Sequence, residues 1–267
     1  MGEGRGGQVR TFGTRIGPGM TQVHELTILD RQGLAGLLDA ESAADAAPLY
    51  FALHHPPERT RLLGYGPDPA RPTGFLAVAY TGLDLFRPLL IPFVNGPEAF
   101  GALMGAALAP GMGGVLRIPA EQIPWIDGKF NIGQAEVSQV LRLDPSAYEP
   151  VLNVLVSESR SPDGAPRYEA RGADGTHAAA GLNWYGNPFA EVYLQADSRS
   201  RTRKMSVSVL SAMVGRLLGE RRIPLYLVRE LDMSARTEAL TLGFRPTGGR
   251  VAVAEITATG SEALSEA

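Results

Sequence analysis

Cysteine is missing from the 267-residue chain. Its absence removes disulfides, thiolate nucleophiles and cysteine-ligated metal centres. It is compatible with a cytoplasmic protein. Histidine is scarce, with four in all, and His54 and His55 stand before Pro56-Pro57 at what reads as a helix end. That leaves a metal centre little to build on, and none is expected. Long apolar runs are lacking too. Residues 86–93 are the nearest approach, but they include Pro88 and Pro92 and fall well short of the roughly 20 residues that span a bilayer. No membrane partner is therefore expected. A net charge of −3 gives no overall attraction to nucleic acid or anionic lipid, so any such binding needs a local basic patch. There is no P-loop, dinucleotide fingerprint, nucleophile elbow or metalloprotease helix.

What remains is a normal globular balance, 44% hydrophobic and 20% charged, in a chain longer than one ordinary domain. Residues 1–20 are rich in Gly and Arg without an apolar core and read as a flexible leader, not a secretory signal. Residues 258–267 are small and acidic and read as a disordered tail.

Between them run two halves with the same rhythm, 21–145 and 146–257, with the boundary near Asp144-Pro145-Ser146. In the first, residues 23–28 alternate as a strand, and Asp30 is a plausible N-cap for the Leu-rich segment after it. Residues 44–55 suit a helix, and the Pro/Gly-rich stretch 56–72 reads as broken structure. Strands follow at 74–80 and 86–93, then a helix with Pro97 at its first position, a strand at 115–118, an irregular stretch at 120–134 and a strand at 136–143. In the second half, 151–157 reads as a strand. Residues 167–171 and 176–184 read as a hairpin turned at Asp174-Gly175. A strand at 189–195, an amphipathic helix from about Lys204 to Glu220, a strand at 223–229 and a helix at 234–242 closed by Gly243 complete it, with strand residues again at 244–245 and 251–256. The pattern predicts a mixed, mostly antiparallel α/β sheet flanked by helices.

The run FAEVYLQADSRSRTRKMSVSVL, ending downstream in Leu242-Gly243-Phe244-Arg245-Pro246, resembles the GNAT superfamily of N-acyltransferases. That family orders a strand, a phosphate-binding loop opening a helix, a strand, a short helix and a Leu-Gly-Phe turn. The first half resembles a second, degenerate copy, in a tandem arrangement. The resemblance implies acyl transfer, usually acetyl, from acetyl-CoA or another acyl-CoA to a small-molecule amine, and pairing into homodimers is common in the superfamily. It places the donor on the strand residues Leu194 and Gln195, on the loop Arg199-Ser200-Arg201-Thr202-Arg203-Lys204, and near Asp232. Backbone N–H groups at a helix N-terminus suit a pyrophosphate.

The sequence departs from that family in three respects. Thr202 and Lys204 stand where the family loop has small residues, while four of the loop's six residues are basic. Such a loop suits either an anion receptor or a solvated turn. Ala239 occupies the position of a family Tyr that protonates the leaving thiolate. Another group, water, or a leaving group that needs no acid then takes its place; Tyr193, Tyr226 and Ser234 are nearby in the predicted fold, though Tyr226 better suits a core position. The two helices that normally wall the acceptor site have no room in the second half, which leaves that site open or walled by the first half. Glu191 is a candidate general base on its strand, equally suited to a solvent face. Glu230, Asn183, Trp184 and Tyr185 are candidates for acceptor contact, and Asp232 also suits a helix cap. Two other functions stand beside acyl-CoA transfer. One is an aminoacyl-tRNA donor held by the basic loop and by Arg216, Arg221 and Arg222. The other is a binding module that has lost its chemistry.

Overall fold

A computed structural model describes residues 22–82, 84, 86–162, 164–202 and 204–259. The proposed leader, most of the tail and Arg203 lie outside the described residues. The first half contains β1 (Gln22–Glu25), α1 (Arg31–Leu34), α2 (Ala46–Leu49), β2 (Thr60–Gly66), β3 (Gly74–Ala79), β4 (Leu89–Phe93), α3 (Pro97–Ala107), β5 (Gly113–Pro119), β6 (Phe130–Ile132) and β7 (Glu136–Leu143). The second contains β8 (Val156–Arg160), β9 (Pro166–Arg171), β10 (His177–Tyr185), β11 (Phe189–Ala196), α4 (Ser198–Thr202), α5 (Met205–Gly219), β12 (Ile223–Arg229), α6 (Met233–Thr241) and β13 (Phe244–Ala258). Among the described residues no helix is long and apolar enough to cross a membrane.

All thirteen strands join one sheet, in the order β1-β2-β3-β4-β5-β13-β7-β12-β11-β10-β9-β8, with β6 pairing on β13. Each half contains one parallel pair, β4 with β5 and β11 with β12. Every other pairing is antiparallel. A parallel pair needs a crossover, supplied by α3 in the first half and by α4 and α5 in the second.

The halves exchange strands. β7 lies between β12 and β13. β13 in turn pairs with β5 through residues 251–257. The sheet thus runs unbroken through the turn at Asp144.

Three apolar clusters hold the sheet. Val209, Leu210, Met213, Val214 and Leu217 of α5 pack with Ala235 and Ala239 of α6 against Leu141, Val192 and Phe244. On the opposite face, Leu34 and Phe51 of the first half pack against Trp184, Phe189 and Leu225 of the second. Phe100, Leu103 and Met104 of α3 cover Leu90, Leu116 and Ile256. Each fully buried Phe or Leu contributes about 2 kcal/mol of apolar transfer.

Four local expectations change. Strand β2 lies inside the Pro/Gly-rich stretch 56–72, because pairing with β1 and β3 outweighs the weak local signal of its glycines. Residues 44–55 form one α-helical turn, α2, that continues into a π-turn at Tyr50–His54. Asp30 does not cap α1; its carboxylate accepts instead from Thr27 N–H and Oγ1. Residues 151–155 are irregular and the strand starts at Val156, since Leu152 and Val154 are fully exposed and have no sheet face to bury against.

Candidate active site at a fork in the sheet

The parallel pairing of β11 and β12 runs from Phe189–Ile223 to Val192–Tyr226 and then ends. The strands part, and a groove of about 410 Å3 opens between them. Tyr193, Leu194 and Gln195 form one wall, Tyr226, Leu227 and Val228 the other, and Arg201, Asp232 and Ala235 close the α5–α6 side. Tyr193 and Tyr226 therefore both meet the fork. Burial pushes the Tyr226 phenol well above its ordinary value, with Arg201 pulling weakly the other way. The Tyr193 hydroxyl accepts from Arg167 Nη1 at 3.1 Å, and its ring lies over Gly181, where a Cβ would meet it at 2.5 Å.

The loop beyond β11 is folded as α4. Ser200 is fully buried, and its N–H donates to Asp197 Oδ1 at 2.6 Å. That bond holds the Asp197 carboxyl below its ordinary value. Arg201 does not point free into the groove. Its guanidinium donates to Glu238 Oε2 at 2.9 Å and lies 3.4 Å from Asp232 Oδ2. Glu238 also accepts from Ser206 Oγ at 2.8 Å. Arg199 and Lys204 are exposed. Lys204 has φ 58, in the left-handed region, at the place where the family resemblance expects a small residue. Thr202 ends α4.

Asp232 caps α6, accepting from Ala235 N–H at 2.8 Å. Ala239 is fully buried in the α5–α6 core. Ser234 is exposed at the start of α6 and does not line the groove. Glu230 is held by Arg250 at 2.5 and 3.0 Å and does not line the groove either. Tyr185 bonds Glu220 and lies under the Arg222 guanidinium, 3.8 Å from its ring centre. Along α5 the basic patch is largely neutralised. Arg216 pairs with Glu158 and Glu220, and Arg222 lies 4.0 Å from Glu220.

Glu191 is 1% exposed and faces away from α5. Arg117 of β5 grips it with both terminal nitrogens, at 2.9 and 2.5 Å. A bulge between Leu182 and Trp184 turns the Asn183 amide onto Glu191 Oε1 at 2.8 Å, and Asn183 also lines the fork groove. Trp184 is buried, stacked on Tyr50. A cavity of about 170 Å3 lies at this junction of the halves, with Arg117, Glu191, Trp184 and Gln122 in its lining. Sequence reasoning missed Arg117 and Gln122. Arg117 is the lone charge in an apolar strand, GGVLRIP, a signal that marks the residue without revealing its partner 74 positions away.

No family model matches the sequence, and no curated protein matches it. Solved structures do. A tandem GNAT protein from the clavulanic acid biosynthesis pathway is 14% identical, with 90% of this chain and 99% of that one covered at a TM-score of 0.54. This chain has the GNAT fold. A GCN5-related N-acetyltransferase from Sphaerobacter thermophilus (11% identity, 89% and 96% covered, TM-score 0.55) and a GNAT-family acetyltransferase from Colwellia psychrerythraea (9%, 89% and 100%, 0.52) align over similar lengths. Both halves take part in these alignments, so the GNAT fold is tandem here. At such identities the likeness concerns the fold.

Proposed function

We propose that the chain is an acyltransferase that moves an acyl group from acyl-CoA to the amine of a small molecule. The observation that carries this reading is the fork, where β11 and β12 part after Val192 and Tyr226 into a groove beside the start of α5. Backbone groups freed on the inner edges suit a pantetheine arm, and an N–H there suits the oxyanion of a thioester under attack. In the step itself the amine nitrogen attacks the thioester carbonyl carbon. The C–N bond forms, the C–S bond breaks, and the proton lost by the amine is balanced by one gained by the thiolate. Tyr226 is our choice for that last protonation, because it lines the fork and lies in the cluster shared with α6, as does Ala239. Tyr193 is the alternative phenol. Glu191 is not our choice of general base, since Arg117 and Asn183 hold its carboxylate.

Thermal denaturation with acetyl-CoA, free CoA and bulk tRNA tests the reading. Binding at 100 times Kd stabilises a fold by about 2.7 kcal/mol, so both CoA compounds are expected to raise the melting temperature. Stabilisation by tRNA instead would move the donor to an aminoacyl-tRNA. Indifference to all three would leave a binding module without transferase chemistry.

A further inference from the structure

The cavity between the halves is lined mostly by apolar groups, among them Ile91, Phe93, Leu225 and Val251. Such a lining is a poor setting for a charge pair unless something uses the charges. Two further polar groups in the same lining lack partners among the described residues. Trp184, 4% exposed, has a buried indole N–H without an acceptor, and the Gln122 carbonyl oxygen is buried without a donor. Unmet buried donors and acceptors of this kind call for an explanation. The cavity therefore offers a cation and a neutral donor, Arg117 and Trp184, together with an anion and a neutral acceptor, Glu191 and Gln122.

We propose that this cavity binds a small zwitterion, an apolar α-amino acid, by inserting the ligand's two charges into the Arg117–Glu191 pair. The carboxylate takes the guanidinium and the indole N–H. The ammonium takes the Glu191 carboxylate and the Gln122 oxygen. The side chain fills the apolar part. Size agrees, since an engineered cavity of about 150 Å3 holds benzene. A ligand that supplies both charges leaves neither protein charge buried alone, whereas a plain amine or a plain acid strands one of them. As an acceptor site this deepens the acyltransferase reading and rests on it. Asn183 joins the two places, lining the fork and bonding Glu191. As a binding site it stands without that reading.

The test is calorimetric titration of the full chain, with no CoA present, against L-leucine, L-valine and L-phenylalanine, and then against isoamylamine and isocaproate, which are leucine without its carboxylate and without its amine. At least one amino acid is expected to bind, and its single-charge analogues at least tenfold more weakly. Arg117→Gln is expected to abolish binding, but it also leaves Glu191 buried without its cation and weakens the fold. Ala43→Trp, at a partly buried position in the cavity wall, fills the space with the ion pair intact and is expected to abolish binding in a folded chain. No binding by any of the three amino acids, equal binding of isoamylamine and leucine, or full binding by Ala43→Trp would each overturn the proposal. CoA binding measured separately reads the fork. Its presence without amino-acid binding defeats this inference alone, and its absence with amino-acid binding defeats the transferase reading alone.

Discussion

Arg201, in the lining of the fork, and Glu238 of α6 are in contact at 2.9 Å, with the arginine side chain 19% and the glutamate side chain 13% exposed. On the acyl-CoA reading proposed above, the arginine that would meet a donor phosphate is already held by an acid of α6. On that reading a phosphate would compete with Glu238 for it.

Glu238→Gln removes the competing charge and keeps a carbonyl oxygen for Ser206 Oγ. A partly buried pair of this kind is worth about 1 kcal/mol, so CoA affinity is expected to rise roughly fivefold. Titration calorimetry at two salt concentrations checks it. Unchanged affinity would mean that Arg201 is structural and the phosphates lie elsewhere.

Lys204 has φ 58, a conformation that costs a side-chain-bearing residue about 1 kcal/mol relative to Gly. Lys204→Gly is expected to raise the melting temperature by about 2–4 °C, and Lys204→Val to lower it. A melting temperature lowered by glycine would show that the lysine side chain outweighs its backbone strain.

Gly243 has φ +97, and a Cβ there would lie 2.7 Å from the Ala147 carbonyl oxygen. Gly243→Ala is expected to cost about 2–3 kcal/mol. The exposed Gly105, inside α3 with open space around it, provides the opposite sign. Gly105→Ala is expected to gain about 0.5–1 kcal/mol. Urea unfolding of both variants decides whether the turn after α6 is as tight as described.

His55 is 6% exposed, and its Nδ1 lies 2.5 Å from Thr60 Oγ1. Burial first, then Arg59 and Arg31, lower its pKa from 6.5 to about 4. The folded chain keeps this ring neutral while the unfolded chain protonates it. The stability tied to neutral His55 is therefore complete above pH 6.5 and drains away as pH falls toward 4. It amounts to about 3 kcal/mol. Urea midpoints between pH 7 and pH 4.5 are expected to fall more steeply in the parent chain than in His55→Asn. Parallel slopes would assign the acid sensitivity to other groups.

Much of the second half was legible because its elements carry their own signals. The apolar repeat of α5, the run Ile223–Arg229 and the Leu-Gly-Phe turn all lie where local patterning puts them. Strand β2 was illegible because its stability is tertiary, coming from neighbours on both edges. The fork residues Tyr193, Leu194 and Gln195 were found through the resemblance. What the loop's charges do was not, since Glu238 gives no local sign of reaching back to Arg201. The Arg117–Glu191 pair was hidden for a similar reason. Each residue shows only as a charge among apolar neighbours, and their meeting depends on the exchange of strands between the halves.

That exchange also fixes an order of events in the cell. The ribosome releases the chain from its N-terminus, yet β5, paired with β4 on one side, receives its second neighbour only when residues 251–257 have been made. The first half must therefore wait as a nascent chain with an open edge until the second half has been synthesised behind it, and neither half, expressed alone, can finish its own sheet.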